Sequence, residues 1–393
     1  MKAASPRSGA LRKGATSSFD NFSKVMKSLD SAGLVSPRVS LQPATARPRL
    51  SATSHRQSVD SASLIPNFEP TKCSFKKNGQ VRAYAANTNQ GLVRSYNEDR
   101  VSIILNILKP VSRTEDSWPK CSFFGVYDGH GGAACADFLR DHLHQFIIKT
   151  TAFPLNPKEA LRTGFLEAER TFLGTVAARS LDSVTERSGS CALVMLVVDD
   201  WCYVANVGDS RAIMSGERGK RLFLLSKDHK PGSEDESKRI SEAGGSIYQS
   251  QTWQYRPTPE GLRKEANLGP VRLLPGRLSV SRSFGDAEAK IVRFGGNPSV
   301  LIATPDIRTF KVSPDHDFVL LGSDGVFDKM TNKEAVAEVW TSLAQRREAT
   351  VHRQCGLAVE SVLRSVLERR SLDNVTVVMV AFKGFKRRYK GRN

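Results

Sequence analysis

Val126-Tyr127-Asp128-Gly129-His130-Gly131-Gly132 closes an apolar run, residues 122–127, with a carboxylate, a glycine carbonyl and an imidazole in direct succession. An apolar, partly aromatic hexamer of this kind reads as a buried strand. The glycines behind it let backbone and solvent approach whatever Asp128 holds. Such strand ends collect chemistry, because a rigid element positions the loop that follows it. An Asp-Gly step is also an ordinary turn former, so the meaning of the stretch depends on what the rest of the chain places beside it.

Working outward, strand-like β-branched runs recur at 101–107, 192–198, 202–207, 222–225, 318–321 and 375–381. Helical spacing predicts helices over 133–149, 157–178, 234–243, 333–344 and 352–369, the second opening on Pro157 and the third closing at Gly244-Gly245. Helices follow groups of strands instead of alternating with them, which predicts an α+β fold with antiparallel sheets. Residues 246–277, with Trp253, Tyr255 and several basic side chains, read as loop, and no internal repeat emerges.

The 393 residues are 39% hydrophobic, ample for a sizeable core. Residues 1–80 are rich in Ser, Ala, Arg and Pro with few hydrophobes, which predicts a disordered arm. Within it, Phe19 to Leu34 form a short amphipathic segment that a partner could order, and Ser58 lies two residues after Arg56 in the manner of a phosphorylation site. The net charge of +18 divides into +9 on residues 1–80, +6 on a basic tail at 383–393 and only +3 on the body between. The body, residues 81–382, is expected to be the folded domain, and the tails to direct localisation to cytoplasm or nucleus. An organelle transit peptide stays open, since the first nineteen residues lack acidic groups. No window approaches the about 18 apolar residues of a membrane-spanning helix. The six cysteines have no paired spacing, which predicts free thiols in a reducing compartment.

Acidic residues recur at predicted strand ends: Glu98-Asp99, Asp128, Asp209, Asp324 and Asp373. If those strands are neighbours, their carboxylates converge, and converging carboxylates repel unless cations neutralise them. Hard oxygen donors without a cysteine or multi-histidine set select Mg²⁺ or Mn²⁺ over Zn²⁺. Two such ions about 3.5–4 Å apart activate a bridging water and clamp a phosphoryl group. Arg94 is a candidate fork for phosphate oxygens, with a surface ion pair as its plain alternative, and His130 is a candidate acid for the leaving group. A cysteine-nucleophile phosphatase needs an Arg six residues after the Cys, and none of the six cysteines has one. The other metal-dependent Ser/Thr phosphatase class uses an Asn-His-Glu run, also missing from this sequence.

In order along nearly all of 81–382, the chain resembles the type 2C metal-dependent Ser/Thr protein phosphatases. The motifs are 94–99 (Arg-Ser-Tyr-Asn-Glu-Asp), 126–132, 188–192 (Ser-Gly-Ser-Cys-Ala), 205–212, 225–231, 239–245, 278–286 (ending Arg-Ser-Phe-Gly-Asp), 321–328 and 373–378. The resemblance implies two packed antiparallel sheets flanked by helices, with a binuclear Mg²⁺ or Mn²⁺ site where the sheets meet. By motif position Asp128 would bridge the ions, the Gly129 carbonyl would bind one, and Asp324 and Asp373 would complete the set. Glu98 and Asp99 would act largely through bound waters, Arg94 would hold phosphate, and His130 would be the general acid. Asp209, with Asp324 and Asp328, matches a weaker third-metal site. Phosphoprotein substrates, a monomer and no specific nucleic-acid binding are expected. Cys191 stands where the motif often has Thr, a departure expected to retune the weaker site. The segment 246–277 corresponds to the family's flap but is long and basic, so substrate preference does not carry over. A pseudophosphatase that only binds partners is the competing reading, and a nucleic-acid binder acting through the basic tails is a third.

Overall fold

The computed structural model describes residues 70–385, apart from 112, 115–116, 181–185, 260 and 347. The segment Phe19 to Leu34, Ser58 and the basic residues 386–392 lie outside the described residues.

Two antiparallel sheets form the centre. The first has six strands: β1 (Lys72–Cys73), β2 (Ala83–Asn89), β9 (Arg211–Gly216), β10 (Arg221–Leu224), β15 (His316–Gly322) and β16 (Val375–Ala381), in the order β1-β2-β16-β15-β9-β10. The second has five: β3 (Arg100–Ile104), β4 (Cys121–Tyr127), β7 (Ala192–Val198), β8 (Trp201–Val207) and β14 (Asp306–Lys311), in the order β14-β8-β7-β4-β3. The short strands β5 (Gly129–His130), β6 (Gly189–Ser190) and β13 (Phe284–Gly285) make a three-stranded patch in the order β13-β6-β5, and β11 (Ser246–Thr258) pairs with β12 (Gly261–Leu274).

Period-two alternation explains the layering. In β7, Leu193, Met195 and Val197 face inward between the sheets, where they join Val319 and Leu321 of β15 and Val378 and Val380 of β16 in one apolar cluster. The alternate residues Ala192, Val194 and Leu196 face outward. They pack with Leu139, Leu143 and Ile147 of α1 (Ala134–Lys149) and with Leu161 and Phe165 of α2 (Pro157–Arg179). Across the molecule, Phe318, Leu320, Val377 and Met379 pack outward against α6 (Asn332–Gln345) and α7 (Val351–Glu368). The result is a helix, sheet, sheet, helix sandwich, the α+β architecture expected. Strands buried on both faces explain why these runs read as continuously apolar.

The helices start where their capping chemistry allows. Asn156 accepts the Glu159 amide at the head of α2, with Pro157 at the first position. Thr331 and Glu334 form a reciprocal capping box at the head of α6. The short helices α3 (Glu234–Glu242), α4 (Ala287–Lys290) and α5 (Asp324–Phe327) complete the set.

Two expectations differ from what is seen. Segment 246–277, read as loop, is largely a long hairpin, paired from Ser246 with Leu274 out to Thr258 with Gly261. Its strands are mostly exposed, so no burial pattern marks them, and Pro257 and Pro270 disguise them further. The register puts Trp253, Tyr255 and Leu262 on one face of this ribbon and Gln254, Arg256, Arg263 and Glu265 on the other. Ordered structure also passes both limits of 81–382, since β1 adds to the edge of β2 and Phe385 packs on Phe318 and Trp340. Edge pairing uses backbone groups and a single core Phe is one residue, so neither shifts local composition.

Candidate metal centre

Strand ends from both sheets meet at one edge of the sandwich. Asp128 follows β4 of the five-stranded sheet, Asp209 lies in the turn that carries the chain from β8 to β9 of the other sheet, and Asp324 opens α5 directly after β15. Each of these three offers a carboxylate oxygen within 4.8 Å of the other two. The Asp324 amide lies 3.3 Å from Asp128 Oδ2. The Cys191 amide donates to the Asp128 carbonyl at 2.8 Å, tying the loop before β7 to the same point.

The electrostatics of this cluster favour positive charge beside it. Burial and then the charge of Asp324, followed by those of Asp99, Asp209 and Asp373, push the Asp128 carboxyl well above the usual carboxylate range. Asp324 is raised well above it too, by burial and by Asp209, Asp373 and Asp328, with Lys230 opposing. Burial raises Asp99 to about 7 against the hydrogen bonds of Thr376 and Ser323. A divalent cation relieves this repulsion, and a donor set dominated by carboxylate oxygens fits Mg²⁺ or Mn²⁺.

The remaining predicted residues lie around this triad with other partners. Asp373 takes a 2.7 Å bond from Arg94 Nη2 and its own neighbour's amide from Asn374 at 2.8 Å. Glu98 accepts the Gly132 amide, and its own amide donates to Asn374 Oδ1 at 2.8 Å. Asp99 accepts the Thr376 hydroxyl at 2.6 Å. Gly129 is in β5, where an added Cβ would stand 2.5 Å from the Glu98 carbonyl oxygen, so the strand approaches Glu98 more closely than any side chain allows. Arg94 remains about half exposed beside the triad, with an ion pair to Asp373 that leaves the rest of its guanidinium accessible.

His130, next in β5, turns Nε2 toward Asp286, 2.9 Å from Oδ1 and 3.0 Å from Oδ2. Burial works against a charged imidazole here, but the Asp286 charge and hydrogen bond outweigh it and hold the His130 pKa above its ordinary value. Asp286 is in turn held below the usual range, against its own burial, by His130, Lys290 and Ser283.

Sequence reasoning assigned no role to Asp286 or Lys230, although both fall inside quoted motifs. Lys230 Nζ bonds Asp209 Oδ2, and although burial alone would lower it, the charges of Asp209, Asp324 and Asp328 hold its ammonium well above the usual lysine range. Cys191 Sγ donates to Asp209 Oδ1 at 3.3 Å. Burial first, then Asp209 and Asp128, keeps this thiol well above the ordinary range. Cys191 therefore stands beside Asp209, the residue matched to the weaker site that this departure from the motif is expected to retune.

The family model described as "Protein phosphatase 2C" matches residues 84–375. "Probable protein phosphatase 2C 45" of Oryza sativa subsp. japonica is 33% identical over 259 residues, covering 66% of this chain and 76% of that one. "Probable protein phosphatase 2C 27" of Arabidopsis thaliana is 32% identical over 261 residues, covering 66% of this chain. This chain spans 59% of that Arabidopsis relative's length and 48% of another's, "Probable protein phosphatase 2C 71". Among solved structures, a serine-threonine phosphatase 2C from Toxoplasma gondii shares the fold with a TM-score of 0.57 at 21% identity, over 80% of this chain and 99% of that one.

Proposed function

The chain belongs to the protein phosphatase 2C family, and from that premise we propose that it hydrolyses phosphoserine and phosphothreonine esters in proteins, with Mg²⁺ or Mn²⁺ required. The observation that carries the reading is the convergence of Asp128, Asp209 and Asp324 from the ends of both sheets. Asp373, Glu98, Asp99 and the Gly129 carbonyl surround that triad as the further donors that motif position assigns to a binuclear site. Ions held there would supply a water of lowered pKa and would neutralise phosphoryl oxygens.

The chain's own residues do the rest. Arg94, pinned through one nitrogen to Asp373, keeps donors free for the outer phosphate oxygens, and this anchoring fixes the plane of the fork. As water attacks phosphorus and the P–O ester bond breaks, the departing seryl or threonyl oxygen needs a proton. His130 delivers it from Nδ1, because Nε2 is committed to Asp286. Asp286 sets the orientation of the ring and favours its protonated form. Asp128, Asp324, Asp373, Arg94 and His130 are all retained, which speaks against a binding-only role.

The test is hydrolysis of p-nitrophenyl phosphate and of a phosphoseryl peptide by the purified chain. Turnover is expected only with added Mn²⁺ or Mg²⁺, and undiminished rates in excess chelator would refute the metal requirement.

A further inference from the structure

Asn374 is the side chain that closes the loop carrying Arg94. β2 and β16 pair as far as Asn89 with Val375, and there the two chains part. Residues 90–99 then carry the chain over to β3, which begins at Arg100 in the other sheet. A stretch without strand or helix must find other partners for its backbone groups. Asn374, 4% exposed, supplies them at both ends of the loop. Its Nδ2 donates to the Gln90 carbonyl at 2.8 Å and to the Tyr96 carbonyl at 3.1 Å, and its Oδ1 accepts the Glu98 amide at 2.8 Å. Both donors and the acceptor of one side-chain amide are therefore in use on the backbone that brackets Arg94.

Neighbouring contacts press the loop against the same turn. Gly91, at φ +78°, comes so close that an added Cβ would stand 2.1 Å from the Asp373 carbonyl oxygen. Gln90 Nε2 donates to the Arg94 carbonyl at 2.6 Å, and Arg94 Nη2 reaches Asp373, the residue before Asn374. The Arg94 side chain is itself about half exposed, and a long side chain in water keeps its direction only if its backbone is held. A displacement of about 1 Å at such a group can cost about 100-fold in rate. Asp128, Asp209 and Asp324 belong to other segments, so this clamp acts on Arg94 and Glu98 and not on the triad.

We propose that Asn374 is a positioning residue for phosphate capture: it holds residues 90–98 so that Arg94 meets the outer oxygens of the phosphoryl group, without itself contacting the substrate. This role presupposes Arg94 as the phosphate fork of the proposed hydrolysis.

The experiment uses the full chain loaded with Mn²⁺ and carrying Asn374→Ala, Arg94→Ala or both. Inorganic phosphate is the probe, its binding read by titration calorimetry and its competition by turnover of p-nitrophenyl phosphate. Asn374→Ala should weaken phosphate binding and raise KM by a similar factor of about 10–100-fold, with kcat falling less. In the Arg94→Ala background the same substitution should add little, because its effect runs through that guanidinium. Mn²⁺ affinity should hold, since the triad lies on other segments. Unchanged phosphate binding in Asn374→Ala, a fully additive loss in the double variant, or a Mn²⁺ affinity that drops in step with phosphate would overturn the role of Asn374 and leave the hydrolysis reading in place. Loss of the cooperative melt in both Asn374→Ala and Asn374→Ser would overturn it as well, because the residue would then serve the fold. Phosphate binding indifferent to Arg94→Ala would overturn the assignment of Arg94 itself, and an unaltered chain without Mn²⁺-dependent turnover would overturn the hydrolysis reading.

Discussion

His130 and Asp286, 156 positions apart in sequence, are joined by two short contacts from one imidazole nitrogen, Nε2, to both oxygens of one carboxylate. Asp286 reaches this position from a left-handed backbone conformation, φ +53°, that few side chains adopt readily. Ser283 donates its hydroxyl to Asp286 Oδ2. Behind them Glu169 accepts both the Gly285 amide and the Lys290 ammonium, so an interior ion pair braces the turn. A carboxylate fixed this firmly sets the orientation of the His130 ring.

Asp286→Asn should therefore slow hydrolysis of a phosphoseryl peptide by about 100-fold in kcat, because the leaving alkoxide depends on a well-aimed proton. With p-nitrophenyl phosphate the loss should be far smaller, since that leaving group departs unprotonated. Combining the substitution with His130→Ala should add little to His130→Ala alone, as expected of two residues acting through one ring. Steady-state kinetics on both substrates decides it; equal losses on both would mean that Asp286 serves only the fold.

Asp128→Asn should stabilise the metal-free chain while abolishing turnover. Asp128 and Asp324 are both pushed well above the usual carboxylate range by burial and mutual charge, so removing one charge relieves repulsion. If that relief is about 1 kcal/mol, Tm rises by about 2–4 °C in chelator. The rise in Tm that Mn²⁺ gives the unaltered chain should disappear. Calorimetry with and without Mn²⁺ measures both effects, and a drop in the chelated Tm would show that the cluster is not electrostatically strained.

The layers of the fold were legible because their strands are apolar on both faces: 192–198 and 375–381 match the observed β7 and β16. Strand β2, with its Ala-Asn-Thr-Asn composition, and β14, with its Arg, Thr and Lys, carry too little apolar signal to stand out, and the tertiary pairing decides them. At the site, the recurring acidic strand ends were visible one by one. Their geometry was not, since Asp209 joins Asp128 and Asp324 while Asp373 turns to Arg94. Contacts such as Cys191 with Asp209 arise where distant turns meet, and no local pattern encodes that distance.

Acid should unfold the chain partly through Glu236. Burial alone would raise its pKa, yet Arg282, Arg239 and Ser281 hold it down to about 2. Arg282 Nη2 approaches Glu236 Oε1 at 2.6 Å and Arg239 Nη2 approaches Oε2 at 2.8 Å. A depressed folded-state pKa gives stability that is fully present above the unfolded value and fades as pH falls through about 4.5 toward about 2. The linkage is on the order of 3 kcal/mol. Glu236→Gln should lower Tm at neutral pH and flatten the acid limb between those values. Thermal melts from pH 7 to pH 2 test this, and parallel curves for the two proteins would reject it.

Shortening the ribbon β11–β12 should leave the sandwich intact. Its strands are largely exposed, and at its base Leu273 is the one fully buried side chain, joining Ile240 and Val300 in a small cluster of their own. Replacing residues 248–272 by a two-residue type I′ turn keeps Ile247 paired with Leu273 and removes the exposed face of Trp253, Tyr255, Leu262 and Leu268. Cooperative unfolding should persist with Tm changed by less than about 4 °C, since little buried apolar surface is lost. Turnover of p-nitrophenyl phosphate, which is too small to touch the ribbon, should be retained. Binding of a hydrophobic dye should fall, because the apolar face is gone. Loss of the cooperative transition would instead place the ribbon among the elements that the core needs.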